Sequence, residues 1–550
     1  MSCTWHKEAV IYQIYPRSFY DSNGDGIGDL KGITQKLDYL VELGVNAVWI
    51  SPYFKSPNDD NGYDISDYKD ILPEFGTLDD WKEMINQMHK RGLKLIMDLV
   101  VNHTSDEHPW FLESKKSTDN TYRDYYFWRK GKGKKPPNNW TSFFTGSAWQ
   151  YNSNTQEYYL HMFSKKQPDL NWDNPKVRQE IKDVIKFWAD LGVDGFRCDV
   201  ISIISKTQGL PDGKFNPFLR GLEKVVNGPN VHKYLQEINH DVWSKYDCLT
   251  IGEMVFLTPQ AANTYTENNE LDMFFHFEHT GIDSFMGMKW FITKFKPKKL
   301  KKVFSKWQYN LKGWNSLFLE NHDQPRSVSR FGDEDKYWKQ SAKMLATMLY
   351  MQKGTPYIYQ GQELGMTNAH FENLDDYKDI ESHNIYKLGR KVFSHKRMMG
   401  KLKYMSRDNA RTPMQWSKNE NAGFTTANPW IKVNSNYQKI NVEQQKNDPD
   451  SILNYYKQLI DLRKQNPVIL YGEYKEYYGR HSTLYVYTRE YKGEKIVVIN
   501  SFSKKDVHFT LIDELKFDNY ELLISNYQNN EKLDSNIVLK PFETRVYKVK

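Results

Sequence analysis

Short runs of apolar, β-branched and aromatic residues recur over the first two thirds of the chain, and most precede a longer stretch with helical periodicity. Such alternation is typical of βα units that build a parallel sheet. We identify eight strand-like runs, at 10–19, 47–54, 94–103, 195–201, 248–254, 271–278, 316–323 and 355–365. Eight strand–helix repeats predict an α/β fold, a closed (β/α)8 TIM barrel.

The stretches between these runs carry apolar residues on one helical face, for example at 30–43, 78–91, 175–191 and 337–351. In a (β/α)8 barrel the chemistry is carried at the C-terminal ends of the strands. Ionisable residues gather there in this sequence, as Asp98, His103, Arg197, Asp199, Glu253, His322 and Asp323. The sequence therefore predicts one functional site at that end of the barrel.

Two regions break the repeat. Residues 104–174 are too long for an ordinary connection and predict a small inserted domain after strand 3. From residue 473 to 550 the strands alternate without helical stretches, which predicts a C-terminal antiparallel β-sandwich domain. The barrel itself is then assigned to 1–103 and 175–472, and its polar segment 367–407 is expected to overhang the barrel mouth.

Composition and charge exclude several classes of protein. With 550 residues, 39% of them hydrophobic, the chain is too long for a small module and too apolar for a disordered protein. Its net charge of +7 is spread along the chain, so we expect no nucleic-acid partner. The sequence shows neither a signal peptide nor a membrane-span pattern, and its sparse cysteines, Cys3, Cys198 and Cys248, predict reduced thiols; we expect a cytoplasmic protein without a membrane partner.

Two carboxyl residues at neighbouring strand ends are suited to cleaving a glycosidic bond, which needs one group to protonate the leaving oxygen and another to attack the sugar. Asp199 ends run four, and Arg197 lies on the same strand face, where its charge is expected to keep Asp199 ionised. Glu253 ends run five, in a setting expected to be mostly apolar and to raise its pKa. Neighbouring strands predict the short separation of a retaining enzyme.

Four segments in register, 98–105, 195–201, 251–254 and 320–326, resemble the signature regions of the α-amylase family, glycoside hydrolase family thirteen. The resemblance extends over essentially the whole chain. It implies that Asp199 is the nucleophile, Glu253 the general acid/base and Asp323 a third carboxylate that fixes the sugar. It further implies that a terminal glucose is held by Asp60, Tyr63, His103, Phe163, Gln167, Arg197, His322 and Arg407.

The loop 21–29 places side-chain oxygens at alternate positions, as hard cations require. Similar loops bind one structural Ca²⁺, or sometimes Mg²⁺, in glucosidases of this family. The predicted ligand positions are Asp21, Asn23, Asp25, Ile27 and Asp29. The alternative is Asx-turn hydrogen bonding without an ion. No catalytic metal or organic cofactor is expected, because the two carboxyl groups already supply the acid and the nucleophile.

Within the family the chain is most similar to the oligo-1,6-glucosidases, or isomaltases. Pro168 is typical of that subfamily, where trehalose-6-phosphate hydrolases usually carry Ala, and Val200 stands where α-1,4-preferring members usually carry Thr. The tract 411–430 also resembles the sequences of that subfamily. An apolar side chain at 200 cannot hydrogen-bond the leaving sugar, but Val200 packing in a core is an equally open alternative.

The resemblance implies a retaining, exo-acting α-glucosidase that releases glucose from the non-reducing ends of isomaltose and small α-1,6-linked oligosaccharides, and we expect a monomer. Three alternatives share this chemistry: a trehalose-6-phosphate hydrolase, with Lys165 and Lys166 as candidate phosphate ligands, a maltose- or sucrose-preferring glucosidase, and a sucrose isomerase. A non-catalytic relative is the alternative from another class. Such a protein is expected to lack one of the three carboxylates, which this chain retains.

Overall fold

The computed structural model describes residues 4–216, 219–528 and 532–550. Eight parallel strands form a closed barrel in chain order, with the eighth strand hydrogen-bonded to the first. They are β1 (Ile11–Ile14), β2 (Ala47–Ile50), β3 (Lys94–Leu99), β4 (Gly195–Cys198), β5 (Leu249–Met254), β6 (Met273–His276), β7 (Trp314–Leu317) and β8 (Thr355–Tyr359). The predicted TIM barrel is confirmed.

Amphipathic helices follow the strands and cover the barrel. The longer ones are α1 (Leu30–Gln35), α2 (Leu37–Leu43), α3 (Leu78–Lys90), α4 (Pro175–Asp190), α5 (Val231–Asp241), α6 (Pro259–Glu267), α7 (Pro297–Asn310), α8 (Trp338–Tyr350), α9 (Ile380–Gly389), α10 (His395–Met405) and α11 (Ile452–Gln465). The periodicity over 30–43 predicted one helix, and the structure has two, because Lys36 leaves the helical conformation at φ −105° and ψ 6°.

Large side chains fill the inside of the barrel, as the inward faces of its strands require. This cluster is formed by Ala9, Ile11, Ala47, Trp49, Ile96, Leu249, Ile251, Met273, Phe275, Trp314, Phe318 and Tyr357, all at most 6% exposed. Since aromatic rings occupy the centre, the barrel is a solid core. A substrate therefore meets the barrel only at its ends.

The segment between β3 and α4 carries a small antiparallel sheet, in which Glu157–Leu160 lies between Trp128–Arg129 and Trp149–Asn152. Side chains of this segment share an apolar cluster with Val200 and Ile203, which directly follow β4. The insertion thereby packs on the C-terminal end of the barrel.

The C-terminal part forms a five-stranded antiparallel sheet and a two-stranded one. In chain order the larger sheet comprises β9 (Glu473–Tyr477), β10 (Leu484–Tyr491), β11 (Glu494–Ser501), β12 (Tyr520–Ser525) and β13 (Thr544–Val549), and the smaller pairs Val507–Thr510 with Asn536–Leu539. Residues of both sheets share one apolar cluster, including Val497 and Leu539. This is the predicted sandwich arrangement, while the domain boundaries stay a prediction.

The described residues contain no helix that is both long enough and apolar enough to cross a membrane. Cys198 and Cys248 are buried and form no disulfide. Cys3 lies outside the described residues.

Candidate active site

One guanidinium joins three carboxylates at the C-terminal ends of β3, β4 and β5. The Nη1 atom of Arg197 lies 2.9 Å from Asp98 Oδ1 and 2.6 Å from Asp199 Oδ1, and its Nη2 atom lies 2.8 Å from Glu253 Oε1. The strand register explains the arrangement, since Arg197 pairs with Asp98 on one side and with Ile251, two residues before Glu253, on the other. Residues two apart on a strand share a face, so all these side chains point inward.

The prediction that Glu253 lies in a mostly apolar setting is wrong. Its Oε1 atom contacts Arg197, and its Oε2 atom accepts a hydrogen bond from the Val200 main-chain N–H at 3.0 Å. That N–H is turned toward Glu253 because Val200 adopts a left-handed conformation, φ 36° and ψ 37°. A β-branched residue rarely occupies this region, so sequence periodicity gives no sign of it.

Asp199 lies between the Arg197 guanidinium and the carboxyl group of Glu253. Burial raises the pKa of Asp199 well above its usual value, and the charge of Glu253 raises it further, against the attraction of Arg197. A hydrogen bond joins the two side chains. One guanidinium shared by three buried carboxylates does not offset the burial of Asp199, so Asp199 binds a proton more readily than a free aspartate does. Arg197 favours the ionised form of Asp199 as predicted, but burial and the charge of Glu253 outweigh it.

Asp323 lies in an opposite, strongly positive environment. Its carboxylate is 3.1 Å from Arg407, 2.9 Å from Arg411 and 3.3 Å from His322 Nε2. Burial alone would raise the pKa of Asp323, but His322 and the two arginines outweigh it and lower the pKa well below the usual range. Asp323 is thus a carboxylate that stays ionised in the pocket.

Asp323 was expected at the end of strand seven, yet β7 ends at Leu317. The apolar run continues because Phe318 and Leu319 are buried without belonging to the strand. The site residues at 322 and 323 therefore lie in the loop that follows.

Tyr63 connects the two groups of charges. Its hydroxyl donates to Asp98 Oδ2 at 3.0 Å and lies 2.7 Å from His322 Nε2, while the two rings stack with centroids 5.4 Å apart. On the other side of the imidazole, Gln13 Nε2 is 2.7 Å from Nδ1. Gln13 and Asp98 were not predicted as substrate-binding residues, although a Gln within the apolar β1 run is a usable signal.

The pocket wall is completed by side chains from the β2 loop, the β3 end and the insertion. Gln167 Nε2 lies 3.3 Å from Asp60 Oδ2 and 3.2 Å from His103 Nε2. Burial lowers the pKa of His103 to about 4, so its imidazole is neutral near pH 7. Burial also raises the pKa of Asp60 to about 7, against the attraction of Arg407 and Arg411.

Arg407 is anchored by Asp379, a residue that the sequence analysis missed. Its Nη2 atom is 2.5 Å from Asp379 Oδ1 and 3.3 Å from Asp60 Oδ1, and its Nε atom is 3.1 Å from Asp379 Oδ2. Asp379 is the N-cap of α9 and is fully buried. The segment 367–407 therefore reaches the barrel mouth as expected, and an Asp directly before a helix was its available signal.

The structure brings all the predicted catalytic and substrate residues to one end of the barrel. Phe163 completes the set, with its ring centroid 5.1 Å from that of His103. Val200 belongs to the apolar cluster of the insertion and is 7% exposed, so its side chain packs there as well as bordering Asp199. The individual roles of these residues stay predictions.

The predicted cation loop lies apart from these contacts and is held by hydrogen bonds. Asp21 accepts three main-chain N–H groups of its own loop and the Thr425 hydroxyl, and Asp25 accepts the Ile27 N–H at 2.8 Å. Asp29 accepts the Gly32 N–H at 2.7 Å and so caps α1. Within the described parts of the chain no three His, Cys, Asp or Glu side chains are grouped to hold a metal ion. This arrangement matches the Asx-turn alternative, and the cation stays a prediction.

Comparisons with known proteins agree with this geometry. The catalytic-domain model of alpha amylase matches residues 13–472, and the C-terminal domain model of the alpha-amylase SusG matches residues 484–546. An oligo-1,6-glucosidase of Parageobacillus thermoglucosidasius is 58% identical, covering 100% of both chains. A variant of the Bacillus licheniformis trehalose-6-phosphate hydrolase superposes with a TM-score of 0.96, at 47% identity and 99% coverage of each chain.

The isomaltulose synthase of Klebsiella sp. LX3 has the same fold, with a TM-score of 0.95, 42% identity and 100% coverage of each chain. At 47% and 42% identity, these two solved structures are similar to the chain in sequence as well as in fold. The family match spans most of the chain, and the residues that carry the resemblance meet in one pocket. The chain belongs to the α-amylase family and is a glycoside hydrolase.

Proposed function

We propose that this chain is a retaining, exo-acting α-glucosidase that hydrolyses α-1,6 bonds at the non-reducing ends of isomaltose and isomalto-oligosaccharides. The observation that carries the proposal is the hydrogen-bonded pair Asp199–Glu253, shared by Arg197 and bordered by a pocket closed with Asp60, Gln167 and Arg407. The 58% identity to an oligo-1,6-glucosidase supports the choice of linkage.

The contact between the two carboxyl groups favours double displacement. Inverting enzymes hold their carboxyl groups about 6.5–9.5 Å apart to admit water between sugar and base, whereas retaining ones keep them about 5–5.5 Å apart. Asp199 would attack the anomeric carbon as Glu253 protonates the leaving oxygen. Glu253 would then take a proton from water as the water releases α-glucose from the covalent intermediate.

The remaining charged groups suit the sugar ring. Ionised Asp323 would face the positive charge that develops in the transition state, and its two arginines keep it ionised at acidic pH. Neutral His103 and Gln167 offer hydrogen bonds to hydroxyl groups. Because Arg407, Asp379 and Asp60 close this side of the pocket, we infer that the pocket accepts a chain end rather than an internal sugar.

A substrate panel tests the proposal. The purified chain is expected to release glucose from p-nitrophenyl α-glucoside and to prefer isomaltose over maltose, sucrose and trehalose 6-phosphate, with α-glucose as the first product by NMR. Asp199→Asn should lower kcat by at least about 10³-fold. A preference for trehalose 6-phosphate, or conversion of sucrose into an isomer, would assign the chain to the corresponding alternative.

One contact argues against the phosphate-binding alternative. Lys166 Nζ lies 3.6 Å from Asp59 Oδ1, so a neighbouring carboxylate already compensates part of its charge. Lys165, the other candidate, is exposed. A phosphate held there would have to compete with Asp59.

We also propose that the loop 21–29 holds one structural Ca²⁺ or Mg²⁺. Its oxygen-only donor set and alternate spacing support the ion, although Asp21 already accepts four hydrogen bonds. Thermal unfolding with and without a chelator tests it. Loss of Ca²⁺ should lower Tm in the parent chain and not in Asp25→Asn, whereas equal Tm values would leave the Asx turns as the whole structure of the loop.

We further propose that the enzyme is a monomer in the cytoplasm and acts on small α-glucosidic oligosaccharides. The two unpaired, buried cysteines in the described residues support a reducing compartment. Light scattering after size-exclusion chromatography measures the mass in solution. Fractionation of the source cells measures the compartment.

A further inference from the structure

A second cavity of about 750 Å³ opens at the opposite, N-terminal face of the barrel. Its wall includes Thr250, Asp272 and Trp314, at or next to the starts of β5, β6 and β7, and Asn239 and Trp243 at the end of α5. The volume lies within the about 300–1,000 Å³ of small-molecule sites. Because the barrel interior is filled, this cavity has no connection to the catalytic pocket through the barrel.

Positive charge dominates the cavity wall. The ammonium groups of Lys7 and Lys353 lie 5.7 Å and 5.9 Å from the centroid of the Trp314 ring. Across the residues that the structure describes, neither lysine forms an ion pair. Burial lowers the pKa of Lys353, and repulsion from Arg489 and Lys7 lowers it further. An anion placed beside these groups would relieve that repulsion.

The single carboxylate of the wall is already engaged. Asp272 Oδ2 accepts the main-chain N–H and the hydroxyl of Thr250, both at 2.8 Å. Arg489, behind Lys353, donates only to the main-chain oxygens of Gly472 and Met351 among its described contacts. Asp272 attracts Lys7 and Glu473 attracts Lys353, so these carboxylates offset part of the positive charge, while the repulsion among Lys7, Lys353 and Arg489 remains.

Neutral donors complete the cavity. Trp243 is 3% exposed, and its Nε1–H has no hydrogen-bond partner among the described residues. This N–H is shielded from the cavity as well as from bulk solvent, so the indole contributes its ring to the wall and no donor to a ligand. Amide and hydroxyl side chains, Asn239, Thr266 and Asn269, lie on the same wall. Such groups suit the hydroxyl groups of a sugar.

We propose that this cavity binds a phosphorylated monosaccharide, with the phosphate between Lys7 and Lys353 and the sugar hydroxyls facing Asn239, Thr266 and Asn269. The site is independent of the catalytic pocket and of the proposed glucosidase activity. It would let the enzyme sense a sugar phosphate while it cleaves a neutral sugar.

Isothermal titration of the full chain with glucose 6-phosphate tests the proposal. The sugar phosphate should bind, and Lys7→Ala combined with Lys353→Ala should weaken the binding at least tenfold. Lys418→Ala removes an exposed lysine outside the cavity and serves as the matched control. Asn239→Leu, which removes an amide from the wall, should weaken binding without removing charge. Circular dichroism and Tm establish that each variant is folded.

Three results would overturn the proposal. The first is no binding at millimolar concentration, or equal binding by the double lysine variant. The second is displacement of the sugar phosphate by isomaltose in Asp199→Asn, which would locate it in the catalytic pocket. The third is equally tight binding of inorganic phosphate, which would remove the sugar from the proposal. A failed substrate panel would leave this titration unaffected, so the two proposals fail separately.

Discussion

At the scale of the residue, Val200 has two tasks. Its left-handed main chain turns an N–H toward Glu253, and its side chain packs against the insertion. Holding a β-branched residue in that conformation costs about 1–3 kcal/mol, which persists where the surroundings enforce it. The main-chain bond and the apolar contact are therefore maintained together, next to the proposed nucleophile.

We predict that Val200→Thr shifts linkage preference toward maltose. The two side chains have nearly the same shape, but Thr adds a hydroxyl that can hydrogen-bond the leaving sugar. The ratio of kcat/KM for isomaltose to that for maltose should fall about tenfold. Val200→Ala, which removes the branches without adding a hydroxyl, is the control. An unchanged ratio in Val200→Thr would mean that the side chain only packs.

We predict that His108, which lies outside the active site, makes the stability of the chain depend on pH. Its Nδ1 atom accepts the Trp110 N–H at 3.2 Å, and burial lowers the pKa of its imidazole to about 3. Between pH 6.5 and 3 the unfolded chain binds a proton that the folded chain excludes, so this contribution to stability falls as the pH falls. His108→Asn keeps a cap acceptor without titrating. Urea unfolding from pH 4 to 6.5 should show a slope smaller by up to about 1.4 kcal/mol per pH unit.

At the scale of the element, the strands could be predicted from sequence because each is a local apolar pattern. Seven of the eight predicted runs contain a barrel strand, and the run 316–323 overlaps the last two residues of β7. The inward positions of Arg197 and Glu253 follow from alternation. The end of β7, the break at Lys36 and the polar setting of Glu253 could not be predicted, since each depends on contacts between distant segments. The role of Asp379 was missed for the same reason.

We predict that Asp379→Asn weakens substrate binding through Arg407. Asn can still cap α9, but it cannot supply the charge that holds the guanidinium beside Asp60. KM for isomaltose should rise at least about tenfold, with a smaller change in kcat, since removing a charged partner costs about 1.5–3 kcal/mol. Asp375→Asn, at an exposed position just before α9, is the control. A fall in Tm without a change in KM would assign Asp379 to helix capping alone.

At the scale of the whole molecule, buried cations join the C-terminal sheets to the barrel. Lys301 on α7 donates to the main-chain oxygens of Tyr478, His481 and Leu484, and is 1% exposed. Arg489 on β10 similarly donates to the main-chain oxygen of Met351, directly after α8. The joint therefore depends on carbonyl groups that have to be paired once water is excluded.

We predict that Lys301→Met destabilises the chain without changing its chemistry. Methionine fills a similar space but leaves the carbonyl oxygens without a donor, at about 1–3 kcal/mol. Tm by calorimetry should fall, with kcat and KM for p-nitrophenyl α-glucoside unchanged at 25 °C. Lys298→Met, an exposed lysine of the same helix, should match the parent chain. A Tm equal to that of the parent would show that water satisfies these carbonyls.

Because large side chains fill the inside of the barrel, the catalytic pocket has no exit through it. Whatever enters must leave through the same mouth, so the departing aglycone precedes the glucose held beneath it. Released glucose then occupies the position that the next substrate needs, and competitive product inhibition follows from the architecture. Because the pocket has one entrance, an incoming sugar approaches the covalent intermediate from the same side as water. At high sugar concentration the sugar therefore competes with water for the intermediate, and chain elongation results.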